Sequence, residues 1–220
     1  MRTRKQALKH LEKKFDIGEF VKPIDTHFKP WLDELNEELK GQEKEVKDII
    51  EILLKSDRVY TVGLGRSRLG IMTTGMRFMH AGYQVEEVGH PYAPAMGTDE
   101  HYKDVLIIES GSGETNYAVT TAKIAKNNKV PIIAITSNPE SRIAKISDKK
   151  IVTKGKRIYP TDSKIPSEEK EPINFMQTKS EDKASRIGEL LINYTAKMRG
   201  LTENDMQKRH ANTEYLKEPS

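Results

Sequence analysis

Val105-Leu106-Ile107-Ile108-Glu109-Ser110-Gly111-Ser112-Gly113-Glu114-Thr115 decides how the rest of the chain is read. Its apolar run, with Ile107 and Ile108 β-branched, predicts a buried strand of a parallel sheet. The run then breaks into Ser-Gly-Ser-Gly-Glu-Thr and feeds a helical pattern through Asn116 to Lys126. A strand, a small-residue turn and a helix N-terminus together make an anion site, because free backbone N–H groups and the positive dipole end converge there. Gly111 and Gly113 let the backbone come close, and the hydroxyls of Ser110, Ser112 and Thr115 add hydrogen bonds. An ordinary helix cap needs one such residue. Three hydroxyls and two glycines in six positions exceed that need and point to a phosphate-bearing ligand.

Outward from this stretch, strand and helix patterns alternate. Val59 to Gly63 reads as a strand, followed by Leu64-Gly65-Arg66-Ser67 and a helix from about Arg68 to Ala81. Tyr83 to Val88, Asp104 to Ile108, Val130 to Thr136 and Ile151-Val152 are further strands. Pro91, Pro94 and Gly97 mark a loop, and Ser141 to Ser147 a short helix. This alternation predicts a doubly wound α/β fold with a five-stranded parallel sheet and additional N- and C-terminal helices. Such a sheet binds its ligand at the carboxyl ends of the strands, at the topological switch point. Arg66-Ser67 and Ser110 to Thr115 both follow strands, so the pattern predicts one cleft for the two. Gly63-Leu64-Gly65 resembles the start of a dinucleotide fingerprint, but the third glycine would fall at Arg68. The fingerprint is broken, and a nicotinamide cofactor is not expected.

The flanks are helical. Residues 1–30 are read as an N-terminal arm with a basic helix from Arg4 to Lys14. Leu32, Leu35, Leu39, Val46, Ile49, Ile50 and Leu53 recur at helical spacing, with Gly41 as a break. Residues 154–178 read as a surface loop placed to cover the site. An amphipathic helix starts near Glu181 and stops at Gly200, and Thr202 caps a last short helix reaching about His210. The domain is expected to span 31–214, with 215–220 as a tail.

The 220 residues suit one such domain. No apolar run approaches a membrane span, and the charged N-terminus is unlike a secretion signal. The absence of cysteine rules out disulfides and thiolate chemistry and agrees with a cytoplasmic location. A net charge of +4, from 37 basic and 33 acidic residues, describes interspersed surface charge and argues weakly for nucleic acid.

Ser110 to Thr115, following a strand, resembles the signature of the SIS (sugar isomerase) domain, whose members bind phosphosugars. Three other stretches narrow the resemblance. Gly65-Arg66-Ser67 with Met76 to Gly82 is similar to a "GRS … MRLMHLG" pattern. Phe175 to Glu181 resembles "PMGTLFE", and Lys208 to Glu214 resembles "xRHANLE". Together these resemble the 6-phospho-3-hexuloisomerase family of archaea and methylotrophic bacteria, over roughly Leu32 to Glu214. The resemblance implies isomerisation of 3-hexulose 6-phosphate to fructose 6-phosphate in a homo-oligomer, usually a tetramer. It implies phosphate contacts from Ser67, Ser110, Ser112 and Thr115, a catalytic carboxylate at Glu181 and a catalytic histidine at His210. Arg66, Gly111, Gly113 and Glu114 complete the candidate binding set. Arg68 stands where a small glycine is usual, Met72 where a lysine is common, and Glu109 where an apolar residue is usual.

The implied chemistry is self-consistent. Moving a carbonyl between neighbouring carbons needs a base for the carbon-bound proton and an acid for the oxygens. An enediol intermediate lets one carboxylate remove and return the proton while a histidine serves the oxygens. No metal or redox cofactor is required. The ordinary alternatives are a first-turn acid for Glu181, a helix C-terminal cation for His210 and a packed core or interface histidine for His80. The rival function is a non-catalytic phosphosugar sensor, although residues 1–54 lack a compact tri-helical DNA-binding pattern. A third reading is an isomerase acting on another sugar phosphate.

Overall fold

The computed structural model describes residues 16–22, 24–155 and 178–210. The basic stretch Arg4 to Lys14, nearly all of the 154–178 loop and the 215–220 tail lie outside them. In chain order the elements are helix α1 (Ile17–Val21), a π-helical turn (Ile24–Phe28), α2 (Lys29–Lys40), α3 (Glu43–Lys55), strand β1 (Arg58–Val62), α4 (Arg66–His80) and β2 (Gln84–Glu87). They continue with β3 (Asp104–Glu109), α5 (Asn116–Asn127), β4 (Ile132–Thr136), α6 (Arg142–Ile146), β5 (Lys149–Val152), α7 (Thr178–Met198) and α8 (Glu203–Gln207).

The five strands form one parallel sheet in the order β2-β1-β3-β4-β5. Its three inner strands are buried at every position, whereas the edge strands β2 and β5 are partly exposed. Alternation along β3 explains the two cores. Val105 and Ile107 point to one face with Ile71 and Phe78 of α4 and Ile187 and Leu191 of α7. Leu106 and Ile108 point to the other, against Ala118, Val119 and Ala122 of α5 and Ile143 of α6. Each aliphatic side chain so buried contributes roughly 1.5–3 kcal/mol, which is why apolar runs, rather than alternating ones, mark these strands.

The expected doubly wound sheet is therefore present, with small boundary differences. Helix α4 begins two residues early, because Gly65 adopts φ +60° and turns the chain at Arg66. Helix α7 begins at Thr178, so Glu181 sits within its first turn. Gly200 is left-handed at φ +68°, and Thr202 and Asp205 form a reciprocal capping box, as their sequence positions predict.

Candidate active site

The strand order reverses between β1 and β3, so the switch point lies between the loops that follow them. After β1, Gly63 permits a tight turn: a Cβ there would lie 2.8 Å from the Ser67 carbonyl. This places Arg66 and Ser67 at the head of α4. After β3, the turn closes through hydrogen bonds from the Gly113 amide to the Ser110 carbonyl and Oγ, both 3.1 Å. Gly113 has φ +64°, and a Cβ would fall 2.0 Å from Ser141 Oγ. Only glycine fits there.

A cleft of about 370 Å³ opens at this point, lined by Gly65, Arg66, Ser67, Glu109, Ser110, Gly111, Ser112, Thr115 and Glu181 among others. The amides of Gly111, Ser112 and Thr115 donate to no group among the described residues, and Thr115 makes no side-chain cap bond although it is the N-cap of α5. These donors are thus available to an anion, reinforced by the α5 dipole. The Ser112 hydroxyl accepts from the Glu114 amide at 3.3 Å, which orients it.

Glu181 arrives from α7. That helix is fixed to α2 by Lys183, whose buried ammonium bonds Glu34 and Glu38 at 2.8 Å each and the Lys154 carbonyl at 3.3 Å. Glu181 is largely buried and pairs with the exposed Arg66. Beside it, the Ser137 hydroxyl lies 2.8 Å from Ser180 Oγ and 3.3 Å from Thr153 Oγ1, in a small recess also lined by Ser67, Glu109 and Glu181.

Three predicted residues face elsewhere. Gly113 lies beneath the turn, against Ser141. Glu114 clamps the head of α6: its carboxylate accepts from the Arg142 amide at 2.8 Å and Arg142 Nε at 2.5 Å, and its pKa is lowered by those bonds. His210 stacks on His80, with ring centroids 5.0 Å apart and planes 18° apart. His80 ends α4, so the 15-residue helix separates it from Arg66 by roughly 20 Å at 1.5 Å per residue. Within one chain, the structure does not bring His210 to the cleft. Arg68 pairs with Glu87 and does not line the cleft.

Glu109 lines the cleft, a role the sequence reading did not give it. Strand alternation puts position 109 on the same face as Val105 and Ile107, which is the signal that would have found it. Ser137 was also missed, although it follows β4 at the carboxyl edge where ligands bind in such sheets. Among the described residues no group of three or more His, Asp or Glu side chains is arranged to hold a metal, and no helix is long and apolar enough to cross a membrane. A second, mostly apolar groove of about 450 Å³ lies between α3 and α7, away from the carboxyl ends of β1 and β3.

Comparison with known proteins agrees with this architecture. A SIS domain model matches residues 52–167. An uncharacterized protein of Archaeoglobus fulgidus is 30% identical over 87% of this chain and 97% of its own length. The 3-hexulose-6-phosphate isomerase of Methanocaldococcus jannaschii is 31% identical over 80% of this chain and 87% of its own. A crystal structure of a Methanococcus jannaschii protein, for which a 3-hexulose-6-phosphate isomerase function was inferred, superposes with a TM-score of 0.63. It is 27% identical and covers 82% of this chain and 97% of that one.

Proposed function

The chain belongs to the SIS domain family, and from that premise we propose that it is a sugar-phosphate isomerase interconverting 3-hexulose 6-phosphate and fructose 6-phosphate. The observation that carries this reading is the cleft at the switch point, which gathers Ser67, Ser110, Ser112, Thr115 and Glu181 around one space. The hydroxyls and the α5 N-terminus hold the phosphate, with Arg66 at the rim. Glu181, the one candidate base on α7 that lines this space, takes the proton from the carbon next to the carbonyl and returns it to the neighbouring carbon. The enzyme works as a homo-oligomer, a dimer or tetramer, and any part His210 plays in the reaction is played in the cleft of a second copy.

The test is NMR of the pure protein with fructose 6-phosphate in D2O. Deuterium entering C3, or new sugar-phosphate signals, is the expected result. Binding without exchange across a panel of sugar phosphates would replace this reading with a sensor that reads the same ligand class.

A further inference from the structure

Strand alternation makes position 109 a core position, yet it carries a carboxyl group. Glu109 is 3% exposed, and neither of its oxygens makes a well-formed hydrogen bond among the described residues, the Ser67 hydroxyl acting on it only weakly. Helix α4 passes directly over it. A Cβ at Gly70 would lie 3.0 and 3.1 Å from the two carboxyl oxygens and 3.2 Å from Ser185 Oγ of α7. Glycine at 70 therefore makes room for the acid. The charged groups that face it are few. Glu181 comes from α7, with Arg66 of α4 paired to it; Ser67 and Ser185 are neutral, and β4 contributes Ile135. Glu109 lines the same cleft as Ser67, Ser110, Ser112 and Glu181.

An acid so placed keeps its proton, because a buried carboxylate without partners is costly. Burial first, and the neighbouring Glu181 second, push its pKa up to about 8, against a smaller downward pull from the Ser67 hydroxyl. Two carboxyl groups with unlike environments in one cleft are the usual arrangement of an acid working beside a base.

We propose that Glu109, as the neutral acid, exchanges protons with the substrate oxygens while Glu181 handles the carbon-bound proton. This rests on the isomerase reading above. Starting from the 3-ketose, the Glu181 carboxylate takes the proton from C2. The released electron pair forms the C2=C3 bond, and the carbonyl oxygen on C3 takes the Glu109 proton, giving the enediol. The Glu109 carboxylate then takes the proton from the C2 hydroxyl, the C2 carbonyl forms, and C3 receives the proton held on Glu181. Both carboxyl groups end as they began, and no co-reactant enters. The chain thus carries an acid for the oxygens inside its own cleft, whereas His210 stands at the other end of α4.

The experiment compares wild type with Glu109→Gln, which keeps the shape of the neutral acid but cannot give up a proton. Turnover of fructose 6-phosphate, its dissociation constant by calorimetry and the pH profile of kcat are measured on both. The expected result is a fall in kcat of roughly 10²- to 10⁴-fold with binding changed by less than about threefold. Glu109→Asp, which retains a titratable acid, keeps more activity than Glu109→Gln. Wild-type kcat falls as pH rises past about 8. A Glu109→Gln protein with full activity and the same alkaline limb overturns the acid role and leaves the isomerase reading standing. A wild type that binds but never turns over a sugar phosphate overturns both.

Discussion

The two ends of helix α4 treat their polar groups in opposite ways. At the C-terminal end, cationic side chains and a stacked ring fasten neighbouring elements to the helix. Arg199 Nη1 donates to the Ala81 carbonyl at 3.0 Å, Arg209 Nη1 to the His80 carbonyl at 3.3 Å, and His210 stacks on His80. Arg199 also lies over the Tyr83 ring, 4.7 Å from its centroid. Cationic side chains there meet the helix carbonyls and the negative dipole end, as caps do. At the N-terminal end, the amides of Gly111, Ser112 and Thr115 and both oxygens of Glu109 lie at a cleft without well-formed hydrogen bonds among the described residues, beside the Arg66–Glu181 pair. A folded chain tolerates unsatisfied buried polar groups at a cost of about 1–3 kcal/mol each, so such groups gather where a ligand or a reaction completes them. On the proposed reaction, the C-terminal end fastens and the N-terminal end does the chemistry.

The largest effect expected from breaking this comparison is at Glu181. Glu181→Gln removes the base while keeping the shape that packs beside Ser180 and Ala184. Deuterium exchange into fructose 6-phosphate is expected to fall by roughly 10²- to 10⁴-fold, with phosphosugar binding retained in a calorimetric titration. The same substitution removes a neighbouring negative charge, so the Glu109 pKa moves down toward the usual carboxylate range. Undiminished exchange in Glu181→Gln would take Glu181 out of the reaction and leave the cleft a binding site.

Glu109 gives the next largest effect, this time on stability. Between its usual value of 4.5 and about 8, the folded chain holds one more proton at this position than the unfolded chain does. Stability therefore falls as pH rises through that window, and the loss is complete above it. Glu109→Gln has no proton to lose. Denaturant unfolding should find the two proteins close at pH 5, with the variant more stable by on the order of 3–5 kcal/mol at pH 9. A gap that does not widen with pH would mean that Glu109 ionises freely and is not held as an acid.

Legibility in the sequence followed the range of the interactions involved. The apolar run 105–108, the turn after it and the caps at Gly200 and Thr202 are local, and each was readable from neighbours within a few positions. The convergence of Arg66-Ser67 with Ser110 to Thr115 was readable too, because the rule that places ligands at the carboxyl edge needs only the strand order. Glu114 was not. Its partner Arg142 lies 28 residues on, and nothing in Ser-Gly-Ser-Gly-Glu-Thr separates a phosphate contact from a clamp on the next helix. Glu109 was visible as a charge beside an anion site, but its burial depends on Gly70 and α7 closing over it. His210 illustrates the same limit: a motif gives the residue and its spacing, whereas the end of α4 on which it lands is a tertiary fact.

The smallest effect is expected at that far end. His210→Ala removes a ring stacked on His80 and leaves the Arg209 contact to the His80 carbonyl in place. Exchange should stay within about threefold of wild type, because the proposed acid and base both lie roughly 20 Å away in the same chain. If activity instead collapses, equal amounts of His210→Ala and Glu181→Gln, unfolded and refolded together, decide where the histidine works. In a mixed oligomer one chain keeps Glu181 and another keeps His210. Recovery of activity on mixing would show the ring completing the cleft of a second copy, and the fastening end of α4 in one chain would then be part of the working end in its neighbour.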